Sequence, residues 1–184
     1  MTRIVGGMLG GRRLVTPPGS STRPTAEKVR AALANSLQAT GGLDGARVLD
    51  LYAGSGALGL ELISRGAATA VFVEKDRAAL AALRSNAALV AQGVTVVAAD
   101  VLAYLGTAGI GPFDVVVADP PYDFADDELI AVLSRLTWTT ALAAHADVVV
   151  ERGVKAREPA WPEPLTGVRV RRYGDTLLCY GRAP

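Results

Sequence analysis

Apolar residues in this chain come in short runs, each closed by an acid, a glycine or a proline, and the runs alternate with segments of helical period. Arg47–Tyr52, Ala70–Glu74, Val94–Ala98, Phe113–Ala118 and Asp147–Val150 read as strands, and all but the first begin or end on an acid or a small residue. Between them, Ala57–Ser64 (closed by Gly66), Ala78–Ala91 and Asp127–Leu136 carry apolar residues at helical spacing. Nearly continuous apolar strands separated by helices predict a parallel sheet covered on both faces. The end of the chain breaks that rhythm. Val168–Tyr173 and Thr176–Tyr180, joined by Gly174-Asp175, predict an antiparallel hairpin. The expected fold is therefore α/β, a doubly wound, mostly parallel seven-stranded sheet ending in that hairpin. Upstream, Val29, Ala32, Leu33 and Leu37 place a helix over about Ala26 to Gln38, with Thr25 as its cap and Gly41-Gly42 as its stop. Residues 1–24, rich in Gly, Arg, Pro and Thr, read as an extended arm or short hairpin, and 25–184 as one domain.

Composition narrows the possibilities. Of 184 residues 50% are hydrophobic and 20% charged, enough apolar material for a single core. No stretch reaches the about 18 apolar residues of a membrane helix, and the first residues lack the apolar run of a secretory leader. Cys179 is the one cysteine and His145 the one histidine, which leaves little material for a disulfide, a triad or a metal cluster. A cytoplasmic, metal-free, monomeric protein is expected. The net charge of +1 hides an asymmetry. Residues 1–40 hold Arg3, Arg12, Arg13, Arg23, Lys28 and Arg30 against Glu27 alone, and residues 165–184 hold Arg169, Arg171, Arg172 and Arg182 against Asp175. The stretch between is net negative. Basic ends flanking an acidic middle suit a polyanion bound by the termini.

Three motifs carry chemistry, each at the carboxyl end of a predicted strand, where ligands bind in such sheets. After the first strand, Asp50-Leu51-Tyr52-Ala53-Gly54-Ser55-Gly56-Ala57-Leu58-Gly59 has the spacing G-x-G-x-x-G, and Glu74 ends the next strand. Glycines let a ligand approach the backbone, and a strand-end carboxylate accepts from both ribose hydroxyls. The pattern fits a nicotinamide cofactor or S-adenosylmethionine. Asp50 tilts the choice, because a carboxylate facing that loop attracts a cationic amino-acid group and repels a pyrophosphate. Asp100, after the third strand, is placed either to accept from an adenine amino group or to cap the segment Val101–Leu105. The fourth strand ends in Asp119-Pro120-Pro121-Tyr122. The prolines stiffen the loop and remove two donors, so the Asp119 carboxylate and the Pro120 carbonyl can both accept from one exocyclic amino group, and Tyr122 offers a face for stacking.

The glycine loop, the ribose acid and Asp-Pro-Pro-Tyr in this order resemble class I S-adenosylmethionine-dependent methyltransferases acting on exocyclic amino groups of nucleobases, whose fold is Rossmann-like. Arg3-Ile4-Val5-Gly6-Gly7, Gly11-Arg12-Arg13-Leu14, Arg23-Pro24-Thr25 with Lys28-Val29-Arg30, and the closing Arg171-Arg172-Tyr173-Gly174-Asp175-Thr176 resemble the bacterial RsmD-type 16S ribosomal RNA guanine-N2 methyltransferases. The resemblance implies S-adenosylmethionine as cofactor. Its methionine end would lie along Asp50, Ala53, Gly54, Ser55 and Gly56, its ribose on Glu74, and its adenine by Asp100 and Val101, with Arg23, Pro24 and Thr25 closing over it. It implies Asp119, Pro120, Pro121 and Tyr122 around the target guanine, number 966 in the family. It also implies 16S rRNA in a 30S subunit or assembly intermediate as partner, held by Arg3, Arg12, Arg13, Lys28, Arg30, Arg171 and Arg172. The arm would then stand apart from a cofactor pocket that begins near Arg23.

The remaining candidates are plainer. His145 reads as a surface residue, Cys179 as core, and Trp138 and Trp161 as packing. Asp126-Asp127-Glu128 opens a helix, where acids favour the dipole. A DNA adenine-N6 or cytosine-N4 methyltransferase shares the proline motif but ordinarily needs a recognition domain. A nicotinamide oxidoreductase leaves Asp50 and the proline motif unexplained, and a non-catalytic RNA-binding assembly factor has no need of so complete a motif set.

Overall fold

A computed structural model describes residues 2–18, 24–121 and 123–184. Seven strands form one sheet: β3 (Arg47–Leu51), β4 (Thr69–Glu74), β5 (Val94–Ala98), β6 (Phe113–Ala118), β7 (Leu142–Gly153), β8 (Thr166–Tyr173) and β9 (Thr176–Arg182). Their order is β5-β4-β3-β6-β7-β9-β8. The first five run parallel, and β9 is antiparallel to both β7 and β8. The strand order reverses between β3 and β6. That reversal opens the crevice in which the motifs meet.

Helices cover both faces because the strands present apolar residues on both. On one side α1 (Pro24–Ala39), α2 (Ala57–Ser64) and α3 (Arg77–Ala87) pack Val29, Leu33, Leu60 and Leu83 against Val48, Phe72 and Val115. On the other, α4 (Val101–Leu105) and α5 (Asp126–Trp138) pack Leu105, Leu129 and Leu133 against Leu49, Val73 and Val148. Asp76 caps α3 by accepting from the Ala79 amide at 2.8 Å. Cys179 is buried and His145 exposed. Trp161 packs over Gly181, where a Cβ would come within 2.4 Å of the ring. Trp138 does not pack. It is 79% exposed at the end of α5.

Two boundaries depart from expectation in ways that bear on the site. The helix predicted from Ala26 starts at Pro24, so Thr25 lies inside its first turn and does not precede it as a cap. Proline suits that first position, where its missing N–H has no intrahelical partner anyway. Strand β7 runs well beyond Asp147–Val150 at both ends. Its added carboxyl end, paired with β9 through Gly153↔Thr176, carries Glu151 and Arg152 out to the crevice.

The arm is part of the body. β1 (Thr2–Arg3) and β2 (Arg13–Leu14) form a small antiparallel hairpin of their own. Ile4 and Leu14 are buried in the core with Val29 and Leu33, so the hairpin shares the interior of the main body. The Glu61 carboxylate, fully buried on α2, accepts from the Val5 amide at 2.6 Å, the Gly6 amide at 3.0 Å and Arg65 Nε at 2.6 Å. Asn86 on α3 accepts from the Val15 amide and donates to the Val15 and Ser55 carbonyls, each at 2.8 Å. Removing the Glu61 carboxylate leaves two amides and Arg65 Nε without their acceptor at once. We predict that Glu61→Ala costs about 3–5 kcal/mol of stability, read as a lower urea midpoint. An unchanged midpoint contradicts the anchoring role.

Candidate active site

The turn after β3 is built around a buried carboxylate. Asp50, 1% exposed at the strand's end, accepts from the Gly59 amide at 2.8 Å and so ties β3 to the first turn of α2. A Cβ at Gly59 would lie 2.8 Å from that same Asp50 oxygen and 2.4 Å from the Phe72 ring, so only glycine permits the approach. Desolvation is the main force pushing the Asp50 carboxyl up to about 7, opposed by the Gly59 bond and reinforced by the Asp119 and Glu74 charges. Tyr52, next along, has φ 60, a conformation that L residues rarely adopt and that turns the chain sharply. Its ring meets Phe124 edge-on at 5.2 Å.

Glu74 ends β4 and braces the glycine turn. One oxygen accepts from the Gly54 amide at 2.8 Å, and the other from the Lys75 and Asp76 amides at 2.7 Å each. The oxygen on Gly54 retains a lone pair for a ligand, whereas the other already accepts twice. Asp100, after β5, caps α4 through the Leu102 amide at 3.0 Å and pairs with Lys75 Nζ at 3.1 Å. That ammonium, first among its neighbours, holds the Asp100 carboxyl below the usual range.

Three cavities follow one another along these strand ends. The first, about 550 Å³, lies among Gly54, Glu74, Lys75, Asp100 and Val101, with Tyr52, Phe124 and Pro121 as walls. The second, about 190 Å³, is lined by Asp50, Ala53, Gly54 and Ser55, and by Thr2, Arg30 and Glu151. The third, about 500 Å³, lies between Asp119-Pro120-Pro121 and the end of β7, with Glu151, Arg152, Lys155 and Asp175. Asp119 lines all three. Though open to the crevice, its carboxyl is pushed up by desolvation among surrounding protein atoms. Glu151 is pushed up too, by burial first and Asp119 second, against Arg30 and the Thr176 hydroxyl, which favour its charged form.

The structure thus brings Asp50, Ala53, Gly54, Ser55, Glu74, Asp100, Val101, Asp119, Pro120 and Pro121 to one connected crevice. Gly56 is not among them. It is buried as the N-cap of α2 at φ 78, where a Cβ would meet Leu83 at 2.4 Å, so its role is in the turn and the packing. Arg23 and Tyr122 lie outside the described residues, as do the side chains of Pro24 and Thr25. Arg30 is corrected as well. Expected at an RNA surface, it is 8% exposed, with Nη2 donating to Thr2 Oγ1 at 3.1 Å and to the Arg3 carbonyl at 3.0 Å. Nor does the arm stand apart from the crevice, since Thr2 lines it. Arg12, Arg13, Lys28, Arg171 and Arg172 are exposed, and Arg3 is exposed beside Glu27 at 3.7 Å. Glu151, Arg152, Lys155 and the Tyr52–Phe124 pair were missed. Glu151 closes an apolar strand with an acid, as Asp50 and Glu74 do, and that shared pattern was a usable signal.

Asp50 makes a prediction about the protein alone. An Asp titrates near 3.8 in an unfolded chain and this one near 7 when folded, so the folded state holds the extra proton between those values. The contribution to stability is full below about pH 4 and is lost as pH rises to about 7. Asp50→Asn removes this titration. The variant should gain stability relative to the parent as pH rises from 4 to 7 in urea unfolding; a constant difference contradicts the buried carboxyl.

The chain's residues 2–182 match the family described as conserved hypothetical protein 95. Over 162 residues it is 39% identical to the ribosomal RNA small subunit methyltransferase D of Escherichia coli, covering 87% of this chain and 79% of that one. It is 32% identical over 154 residues to the protein of the same name from Haemophilus influenzae, covering 81% and 77%. Among solved structures, the Escherichia coli protein yhhF superposes with a TM-score of 0.86 at 34% identity, over 98% of this chain and 97% of its own.

Proposed function

Because the chain belongs to the family described as conserved hypothetical protein 95, with the ribosomal RNA small subunit methyltransferases D among its relatives, we propose that it methylates small-subunit ribosomal RNA with S-adenosylmethionine, at the exocyclic N2 of a guanine. One observation carries the reading. Asp119, at the switch point of the sheet, is the residue on which an acid-lined cofactor crevice and a separate base-sized cavity converge.

The crevice fits this cofactor better than a dinucleotide. Its inner end presents Asp50, Glu151 and Asp119, three acids whose ionisation a sulfonium and an ammonium would favour and a pyrophosphate would oppose. In this reading Asp50 and the Ala53–Ser55 turn hold the methionine end, Glu74 the ribose hydroxyls, and Asp100 with Val101 the adenine. Arg23, Pro24 and Thr25 close over it. The cofactor supplies an electrophilic methyl group, so positioning supplies most of the rate. Asp119 and the Pro120 carbonyl accept from the guanine amine and aim its lone pair, and Tyr122 stacks on the ring. The amine acidifies once its new bond forms, and Asp119 or water then takes the proton. A paired guanine is out of reach, so the target base must be looped out or flipped.

The partner is 16S RNA in a 30S subunit or assembly intermediate, guanine 966 in the family, and the place of action the cytoplasm. No helix among the described residues is long and apolar enough to cross a membrane. The exposed Arg3, Arg12, Arg13, Lys28, Arg171 and Arg172 are assigned to phosphates. Incubation with tritiated S-adenosylmethionine and 30S particles, naked 16S RNA or duplex DNA tests the function. Label in ribosomal RNA is expected. Label in DNA alone, or none, overturns it.

Two predictions follow from the roles assigned. Asp119→Ala should lower methyl transfer by about 10²-fold or more, with little change in cofactor affinity by calorimetry. Loss of cofactor binding would move Asp119 out of the base site. Replacing both Arg12 and Arg13 by alanine removes two surface charges without touching Glu61 or Ile4. The slope of log K against log salt for RNA binding should shrink by about 1.4–1.8 units with the melting temperature unchanged. An unaltered slope removes these arginines from the interface.

A further inference from the structure

Among the described residues, Asp119 and Glu151 alone line both the inner crevice and the 500 Å³ cavity, and the reading above uses the glutamate only for its charge toward the cofactor. It sits at the carboxyl end of β7, held by the Thr176 hydroxyl on β9, close enough to Asp119 for their charges to interact and with the buried Arg30 behind it. Arg30 offsets only part of the cost of an acid there, since burial and the Asp119 charge still push its pKa up. A half-buried carboxylate facing a like charge costs stability unless a ligand completes it.

The chemistry of the bases says what would complete it. An exocyclic amine is satisfied by the Asp119 carboxylate and the Pro120 carbonyl in guanine, adenine and cytosine alike, so those groups do not choose among them. The neighbouring ring nitrogen does choose. In guanine it is N1–H, a donor; beside the amine of adenine (N1) and of cytosine (N3) it is a bare acceptor. We propose that Glu151 is the residue that selects guanine, its carboxylate accepting the N1–H of the base whose N2 amine Asp119 holds. A base with a lone pair at that position meets a carboxylate with no proton to share and is rejected. Burial and the Asp119 charge hold Glu151 toward its protonated form in the free protein; a cationic sulfonium in the adjoining crevice, together with Arg30, shifts it to the carboxylate that the bound base meets. This inference rests on the guanine-N2 reading and adds the specificity residue to it.

The test uses 2-aminopurine, which keeps the amine at C2 and lacks the hydrogen at N1. Small-subunit RNA is assembled by ligation with guanine or 2-aminopurine at the methylated position and offered to the wild type and to Glu151→Gln, whose amide can donate to a bare N1. The wild type should prefer guanine in kcat/KM by roughly 10- to 100-fold. In Glu151→Gln the preference should collapse toward parity. Titration of 2-aminopurine fluorescence with S-adenosylhomocysteine present should show the variant binding that RNA more tightly than the wild type does. A merely structural role for Glu151 would lower both substrates together and leave the ratio fixed; that result overturns the proposal. So does a wild type that accepts 2-aminopurine as readily as guanine, a comparison that holds even if the variant fails to fold. N2-methylguanosine in the product with an unmoved ratio removes Glu151 alone, whereas no methylated guanine removes the underlying reading as well.

Discussion

The Asp50 carboxylate and the Gly59 amide, 2.8 Å apart and out of water, hold the rest of this site in register. The bond joins the end of the central strand to the start of α2, and between the two the chain must reverse through Tyr52, Gly54 and Gly56, all at positive φ. Glu74 then secures the turn from the next strand through the Gly54 amide. A loop braced by two carboxylates lines the crevice with acids that the fold itself satisfies only in part. The site is thereby prepared for cations and stores a cost that a cationic ligand relieves.

Charge is divided across the molecule along the same logic. The crevice gathers Asp50, Glu74, Asp100, Asp119 and Glu151 from five successive strand ends, which on its own would repel a nucleic acid. Exposed arginines on the hairpin and on β8 supply the opposite sign away from it. Arg30 joins the two regions. It is buried between the hairpin and the crevice, bonded to Thr2 and Arg3 on one side and facing Glu151 on the other. The hairpin is therefore a wall of the site as well as a basic surface, anchored by Glu61 and Asn86.

How much of this could be read in advance depended on the range of the cause. Strands such as Val94–Ala98 and Phe113–Ala118 were legible to the residue, because each is a local run of apolar side chains with an acid or glycine close by. The glycine turn, Glu74 and Asp119 were legible for the same reason, since motif and strand end coincide. Arg30 was not, and Glu151 was legible as a strand-end acid but not as a wall of the crevice. Whether an arginine on a helix faces water or a hairpin packed from 28 residues upstream is decided by tertiary contact. Glu151 reaches the crevice only because pairing with β9 extends β7 beyond its apolar run. Gly56 shows the converse, where a motif position serves packing against Leu83 from α3.

The central claim is that one line of strand-end carboxylates, converging on Asp119, holds the cofactor and presents the base. A crystal structure with S-adenosylhomocysteine bound tests it most directly. The account predicts the ribose hydroxyls on Glu74, the amino-acid end over Gly54 beside Asp50, and the sulfur facing Asp119 across the entrance to the 500 Å³ cavity. Density for the adenosine in that 500 Å³ cavity, against Arg152 and Lys155 with Glu74 untouched, would contradict it.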